Sequence, residues 1–172
     1  MSDEKVLPKE IAVQFLADDE SVDLSEFTAI EAEAAESLSK YEDGLILNGL
    51  TSLSDAAAES LSKHEGWLDL NSLTSLSDAA AESLGKHKGD LYLSGLTSLT
   101  DKAAKAFMWH EGTLNLYGLT NLSDAAAKGL LRHVEGDLSL DLDELPDSAA
   151  EILRQHPSFQ DDDDEDWDED DE

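Results

Sequence analysis

The sequence predicts an α/β solenoid, a right-handed β-α superhelix with a parallel sheet on its concave face and helices on its convex face. Two observations predict this fold. A 23-residue phrase recurs with little change, and each phrase passes from a Leu-x-Leu segment to an alanine-rich segment. The six copies begin at Val22, Leu45, Leu68, Leu91, Leu114 and Leu138. A fixed period of this length is typical of chains whose units bury their apolar faces only against their neighbours.

Each copy opens with a short predicted strand. Its two leucines, such as Leu68 and Leu70, alternate with other residues, so both would face inward from the sheet. In three copies a glycine follows, where the chain would turn away from the sheet. These glycines are Gly49, Gly95 and Gly118.

Each copy closes with a predicted helix. A hydroxyl residue stands at the N-cap and an aspartate follows it in the first turn, where it complements the positive end of the helix dipole. The capping residues are Ser54, Ser77, Thr100 and Ser123. Alanines fill the next turn, so the helix can lie close to the strands. Because parallel strands lie about 4.8 Å apart and packed helices about 8–10 Å apart, the stack must curve with its strands inside.

The pattern Leu-x-Leu-x-x-[apolar]-x-x-Leu-[Ser/Thr]-Asp resembles the first half of the cysteine-containing leucine-rich repeat subclass. The repeat length resembles that of large bacterial leucine-rich proteins, and the resemblance covers residues 22–156. It implies a leucine-rich-repeat horseshoe that binds a protein on its concave face. The chain departs from the family by placing apolar residues where the family usually has Asn or Cys. These residues are Phe27, Leu50, Leu73, Leu96 and Leu119.

We expect three parts in the chain: an N-terminal capping helix in residues 1–21, six leucine-rich-like repeats in 22–157, and a disordered acidic tail in 158–172. Solenoids need polar end units because an unstacked end would expose the core. Pro8 suits the first turn of a capping helix, and Pro146 replaces the serine cap of the last copy.

The charge is strongly negative, with 41 Asp and Glu against 11 Lys and Arg, a net charge of −30. Such a surface disfavours nucleic acid and anionic membrane and favours a basic protein partner. We expect no cofactor, no metal site and no catalysis, because every polar residue type recurs with the repeat and no nucleophile or phosphate-binding motif is present. The lack of cysteine and of a secretory signal favours a cytoplasmic protein, and the resemblance to bacterial repeats implies a bacterial source.

The predicted binding site is an aromatic stripe on the concave face. Trp67, Tyr92 and Tyr117 fall on outward positions of successive strands. The polar residues that flank them are Asp69, Asn71 and Asp90. Exposed aromatic side chains with polar borders are typical of interface hot spots. Alternatively, the rings fill space between strands on an otherwise polar sheet.

The acidic C-terminal tail offers a different function, the binding of basic proteins. Eleven of residues 161–172 are acidic, and Trp167 is the exception. A leucine-rich repeat followed by an acidic tail resembles, in layout only, the acidic nuclear phosphoproteins that bind histones. The tail could instead serve solubility alone. In either case the sequence predicts an unidentified protein partner and a monomer or weak oligomer.

Two further features are unusual. Five histidines lie 23 residues apart, at His64, His87, His110, His133 and His156. We interpret them as helix C-terminal caps, with a pH-sensitive ladder as the alternative. A row of zinc sites is disfavoured, because packed helices lie about 8–10 Å apart and histidines at that spacing could not share one zinc ion. Trp109 occupies a repeat position that otherwise holds Lys or Arg, so it should be exposed on the convex side as a dimer or partner contact, or lie over a neighbouring helix.

Overall fold

A computed structural model describes residues 4–133 and 135–160 of the chain, and it confirms an α/β repeat solenoid in which strand and helix alternate. The described strands are β1 (Val6–Leu7), β2 (Ala29–Ile30), β3 (Leu45–Ile46), β4 (Leu68–Asp69), β5 (Leu91–Tyr92), β6 (Leu114–Asn115) and β7 (Leu138–Ser139). The described helices are α1 (Lys9–Ala17), α2 (Ala32–Leu38), α3 (Asp55–Leu61), α4 (Asp78–Leu84), α5 (Asp101–Ala106), α6 (Asp124–Leu130) and α7 (Asp147–Leu153).

The main sheet is open and parallel, with strand order β3-β4-β5-β6-β7. Its register follows the repeat, since Leu45 pairs with Leu68 and Leu68 with Leu91. The sixth strand expected near Val22 is absent from the described residues, where a 3₁₀ turn spans Leu24–Glu26. The Asp23 carboxylate accepts a hydrogen bond from the Ser25 amide at 2.9 Å.

Parallel pairing also occurs outside the main sheet, at two places that the repeat pattern does not predict. Strand β1 pairs with β2, and at equivalent positions further along Ser98 bridges to Asn121. At these places a second paired segment therefore lies between the sheet side and the helix side of the stack.

The core is a continuous column of leucine and alanine. Leu68, Leu70 and Leu73 of one repeat are fully buried, as are Ala80 and Ala81 of the helix that follows. The alanines let helix and sheet approach closely because they add no bulk between the layers.

Hydroxyl caps begin the four regular helices, as the sequence predicts. The Oγ of Ser54, Ser77 and Ser123 and the Oγ1 of Thr100 each accept a hydrogen bond from the amide three residues later, at 3.0–3.2 Å. From Ser77 onward each hydroxyl also donates to the first-turn aspartate of the preceding helix. The pairs are Ser77–Asp55, Thr100–Asp78 and Ser123–Asp101. The caps thus join neighbouring repeats as well as starting helices.

The two ends of the stack differ from its middle. Helix α1 packs on α2 at one end, and α7 begins after Pro146 without a side-chain cap at the other. The acidic segment 161–172 lies outside the described residues. None of the helices in the described ranges is both long and apolar enough to cross a membrane.

Candidate functional site

The exposed face of the main sheet is formed by the residues that alternate with the buried leucines. In β4, Leu68 and Leu70 are fully buried, whereas Trp67, Asp69 and Asn71 are at least partly exposed. The same alternation holds in the neighbouring strands. All six residues predicted for the site therefore lie on the surface, on the sheet side of the solenoid.

The aromatic residues form a contacting pair and a separate ring. Trp67 and Tyr92 meet edge to face, with ring centroids 6.2 Å apart. The Trp67 indole also lies over Gly44 of the preceding repeat, in space that a side chain at Gly44 would fill. Tyr117 is 58% exposed, and the described residues record no ring contact between it and Tyr92. The stripe is thus discontinuous on its Tyr117 side.

The three flanking polar residues are already engaged with the backbone. The Asp69 carboxylate accepts a hydrogen bond from the backbone amide of Asn71 at 3.0 Å. The Asn71 side-chain oxygen accepts from the Ser94 amide at 2.9 Å, and Asp90 accepts from the Thr113 amide at 2.8 Å. The last two bonds link neighbouring repeats. Each bond uses one side-chain oxygen, so these residues order the face of the sheet and still present polar atoms at its surface.

The charged residues at the outward positions of this face are all acidic. They are the residues before, between and after the buried leucines of β3 to β7. Aspartate occupies four of them, at Asp69, Asp90, Asp137 and Asp141, and no lysine or arginine occupies any. With little opposing charge near by, this face attracts cations and basic side chains.

A groove of about 440 Å³ lies at the N-terminal end of the same face. Phe15, Tyr41 and Ile46 supply apolar surface, and Asp19 and Asp23 supply negative charge. The Tyr41 hydroxyl donates to the Asp19 carboxylate at 2.6 Å, a bond that raises the pKa of Tyr41 to about 12. The groove also reaches Gly44, on which Trp67 packs, so it continues the aromatic pair.

The sequence analysis did not predict this groove. Phe15 belongs to the predicted capping helix. Tyr41 lies 23 residues before His64, at the repeat position that holds histidine in later copies. No repeat pattern brings Phe15 and Tyr41 together. In the structure their rings meet at 5.1 Å between centroids. The available signal was Ile46, an aliphatic residue at an outward position whose equivalents in β4, β6 and β7 are polar.

The histidine column forms a buried stack. All five rings are 0–1% exposed, and consecutive rings lie nearly parallel with centroids 5.7–6.2 Å apart. The expected spacing of about 8–10 Å is therefore wrong, and among the described residues no histidine ring nitrogen bonds to a carbonyl of the helix that precedes it, so the expected helix caps are not observed. The backbone of His110 is extended, with φ −69° and ψ 134°, so the chain has left the helix and the ring turns inward.

Hydrogen bonds hold the last ring of the stack, His156, and distinguish it from the four earlier ones. His156 Nδ1 accepts from the Ser158 amide at 3.1 Å, so the proton lies on Nε2, which bonds to the His133 carbonyl oxygen of the preceding repeat. In the four earlier histidines both ring nitrogens are buried without a partner in hydrogen-bond geometry. Burial lowers the pKa of His64, His87, His110 and His133.

The described residues contain no group of three or more His, Cys, Asp or Glu side chains that could hold a metal ion. The stacked imidazoles present ring faces to one another, and a shared metal would need ring nitrogens that converge on one point. Neither the sheet face nor the histidine stack combines a nucleophile with a neighbouring base.

Comparison of the sequence with protein-family models and with curated proteins gives no match. The interpretation of the repeats rests on the pattern and contacts of this chain.

Proposed function

We propose that this chain is a protein-binding module that holds a basic, partly apolar segment of its partner on the sheet face of the solenoid. Membership of the leucine-rich-repeat class and a bacterial, cytoplasmic setting belong to the same proposal. The observation that carries it is exposed apolar surface on this face. Ile46, Trp67 and Tyr117 are 50%, 40% and 58% exposed, and large exposed apolar side chains grouped on one face are typical of interfaces.

The charge of the face supports a basic partner. Aspartates border the Trp67–Tyr92 pair on two strands, and Asp19 and Asp23 border the adjoining groove. A lysine or arginine side chain can lie with its stem on the aromatic rings and its charged end against these carboxylates. Complementary charge of this kind raises association rates and disfavours acidic partners.

The test is selection of binding peptides from a random peptide library on the immobilised full chain. We expect the selected peptides to combine Lys or Arg with apolar residues. Their affinity should fall on the order of tenfold or more in the variant Trp67→Ala/Tyr92→Ala, since hot-spot truncations cost about 2 kcal/mol or more. The matched control is Val13→Ala, which removes an exposed apolar side chain from α1, away from the sheet face and its groove. If the control lowers affinity as much as the sheet variant does, the proposal fails.

The acidic tail remains the second candidate, because residues 161–172 carry eleven of the 41 acidic residues. Deletion of these residues still leaves a net charge of −19, from −30 plus eleven. Binding through the tail should disappear on this deletion and weaken steeply with salt. Binding to the sheet face should survive the deletion.

A further inference from the structure

The helix side of the solenoid carries a basic groove that breaks the repeat. The groove lies between α4 and α5, has a volume of about 440 Å³, and is lined by Lys86, Lys102, Lys105, Met108 and Trp109 among others. Trp109 is 72% exposed, which agrees with its predicted outward orientation. A second groove of about 290 Å³ adjoins it between α5 and α6 and shares Lys105.

The charges of this region depart from the pattern of the other helices. The position held by Glu59 and Glu82 in α3 and α4 is held by Lys105 in α5 and Lys128 in α6. Position 102 holds lysine, whereas the equivalent residues of α3, α4 and α6 are alanine. Residues 101–106 and 124–132 together contain four basic side chains and two acidic ones.

Most of this positive charge has no local counterion. Lys102 pairs with Glu82 at 2.8 Å. Within residues 4–133 and 135–160, by contrast, no carboxylate lies within ion-pair distance of Lys86, Lys105, Lys128 or Arg132. In a chain with a net charge of −30, this region is a local positive surface with an exposed tryptophan in its middle.

We propose that the acidic segment 161–172 of the same chain docks along this basic groove, with Trp167 seated against Met108 and Trp109. The segment is the most concentrated negative charge in the sequence, and its single apolar residue lies in its middle. The groove has the opposite charge and likewise places its apolar residues between basic ones. This inference concerns the opposite side of the solenoid and is independent of binding at the sheet face, although it uses the same segment as the second candidate function.

The path and the length of chain allow this docking. Gln160, the last residue described before the segment, donates from Nε2 to the Gln155 carbonyl oxygen at 3.2 Å. Gln155 occupies the same repeat position as Arg132, Trp109 and Lys86, so Gln160 lies beside the row of positions that lines the groove. Two helix spacings from Gln155 to Trp109 measure about 16–20 Å. The seven residues from Gln160 to Trp167 span up to about 23–25 Å when extended.

The order of charges along the segment also matches. Residues 161–166 would pass Arg132 and Lys128 before Trp167 reaches Met108 and Trp109, and residues 168–172 would end beside Lys86. A short tether holds the segment at an effective concentration in the millimolar range. Binding to its own chain is therefore favoured over binding to a second copy.

The test uses the full chain, which contains no cysteine and so accepts one specific spin label. The label is attached in the variant Asp170→Cys, and the loss of amide peak intensity is measured by NMR. We expect selective loss in α5 and α6, around Lys105, Trp109 and Lys128. The loss should disappear in salt of about 1 M, where the Debye length is about 3 Å.

Two matched variants decide the origin of the signal. Lys105→Glu/Lys128→Glu should abolish the loss, whereas Lys40→Glu/Lys63→Glu, the same charge change on the outer side of α2 and α3, should preserve it. An unchanged set of sheet amide signals shows that each variant is folded. Equal losses in both variants, or losses spread evenly over all helices, overturn the proposal.

A mixing experiment separates docking within one chain from docking between two. Isotope-labelled protein without a spin label is mixed with spin-labelled protein that carries no isotope label. We expect no intensity loss in this sample. Loss of the α5 and α6 signals here would overturn docking within one chain and assign the groove to the tail of a second copy.

Discussion

The ring of His156 stacks on the ring of His133 with centroids 6.2 Å apart and bonds to the His133 carbonyl oxygen. The two residues belong to successive repeats. One side chain thus joins two repeats through a ring contact and a backbone contact, at a point where the chain has left the helix. The same stacking continues to His64, so the column is a structural element of the interior.

The stack should destabilise the fold as the pH falls. Burial lowers the pKa of His87 to about 4, and the neighbouring His110 and His64 add to the shift, against an ordinary value of 6.5. Between these values the unfolded chain binds a proton that the folded chain does not. The free energy of unfolding should therefore be highest above pH 6.5 and fall as the pH drops toward 4, by on the order of 3 kcal/mol for His87.

Proton NMR of the His87 ring tests the shift directly, because its chemical shift should stay constant through pH 6.5 and change only near pH 4. Denaturant unfolding of His87→Gln provides the control. Its stability should vary less across this window than that of the wild type, since carboxylates titrate mainly at the lower end. A His87 midpoint near 6.5 would contradict the prediction.

The hydroxyl–aspartate pairs between helices should stabilise the stack measurably. Thr100 Oγ1 donates to Asp78 Oδ1 at 2.5 Å across one repeat. Asp78→Ala should remove this bond and a favourable contact with the helix dipole, at a cost of about 1–2 kcal/mol in the free energy of unfolding. Urea unfolding monitored by circular dichroism measures this loss.

Asp124→Ala is the matched control for Asp78. Asp124 occupies the same helix position, but the next helix begins after Pro146, which has no hydroxyl to donate. Only the dipole contribution should be lost, so the cost should be about 1 kcal/mol smaller. Equal costs for the two variants would show that the bond between repeats contributes nothing.

Two glycines of the turn after the histidines should not tolerate alanine. A Cβ at Gly89 would lie 2.7 Å from the Gly66 carbonyl oxygen, and one at Gly112 would lie 2.7 Å from the backbone of Gly89. Gly112 also has a φ of 127°, which disfavours any side chain. We expect Gly89→Ala to cost about 1–3 kcal/mol and Gly112→Ala to cost more, because strain adds to the clash.

Thermal unfolding of the two alanine variants measures this order. The contact alone acts at Gly89, so the difference between the variants reports the backbone strain at Gly112. A Gly112→Ala protein as stable as the wild type would mean that the turn relaxes without loss.

The sequence predicted the strands and caps because their signals are local. Leu-x-Leu alternation and a hydroxyl residue before aspartate each specify one conformation within a few residues. The missing strand near Val22 has no such local signal, because the bond from the Ser25 amide to Asp23 has an equivalent between Asn71 and Asp69, where β4 forms. The buried histidines could not be predicted in this way, because their inward orientation depends on the extended backbone that follows each helix.

The candidate site was predictable in its positions and not in its contacts. Alternation with Leu68 and Leu70 places Trp67 on the outer face of the sheet, but the approach of its ring to Gly44 depends on a residue one repeat away. The grooves require two helices or a helix and a turn to meet. No repeat pattern specifies such a meeting, and the binding role of the sheet face stays a prediction.

The sheet leucines and their polar neighbours should differ sharply in their effect on stability. Leu70 is fully buried, so Leu70→Ala should cost about 2–5 kcal/mol. Asn71→Ala should cost about 1 kcal/mol, because the Ser94 amide loses its partner. The sequence alone would make this change neutral.

Asn48→Ala, at the equivalent position of β3, is the control, since Asn48 accepts no such bond among the described residues. Urea unfolding should rank the three costs as Leu70, then Asn71, then Asn48, and equal costs for Leu70 and Asn48 would contradict the inward orientation of the leucines.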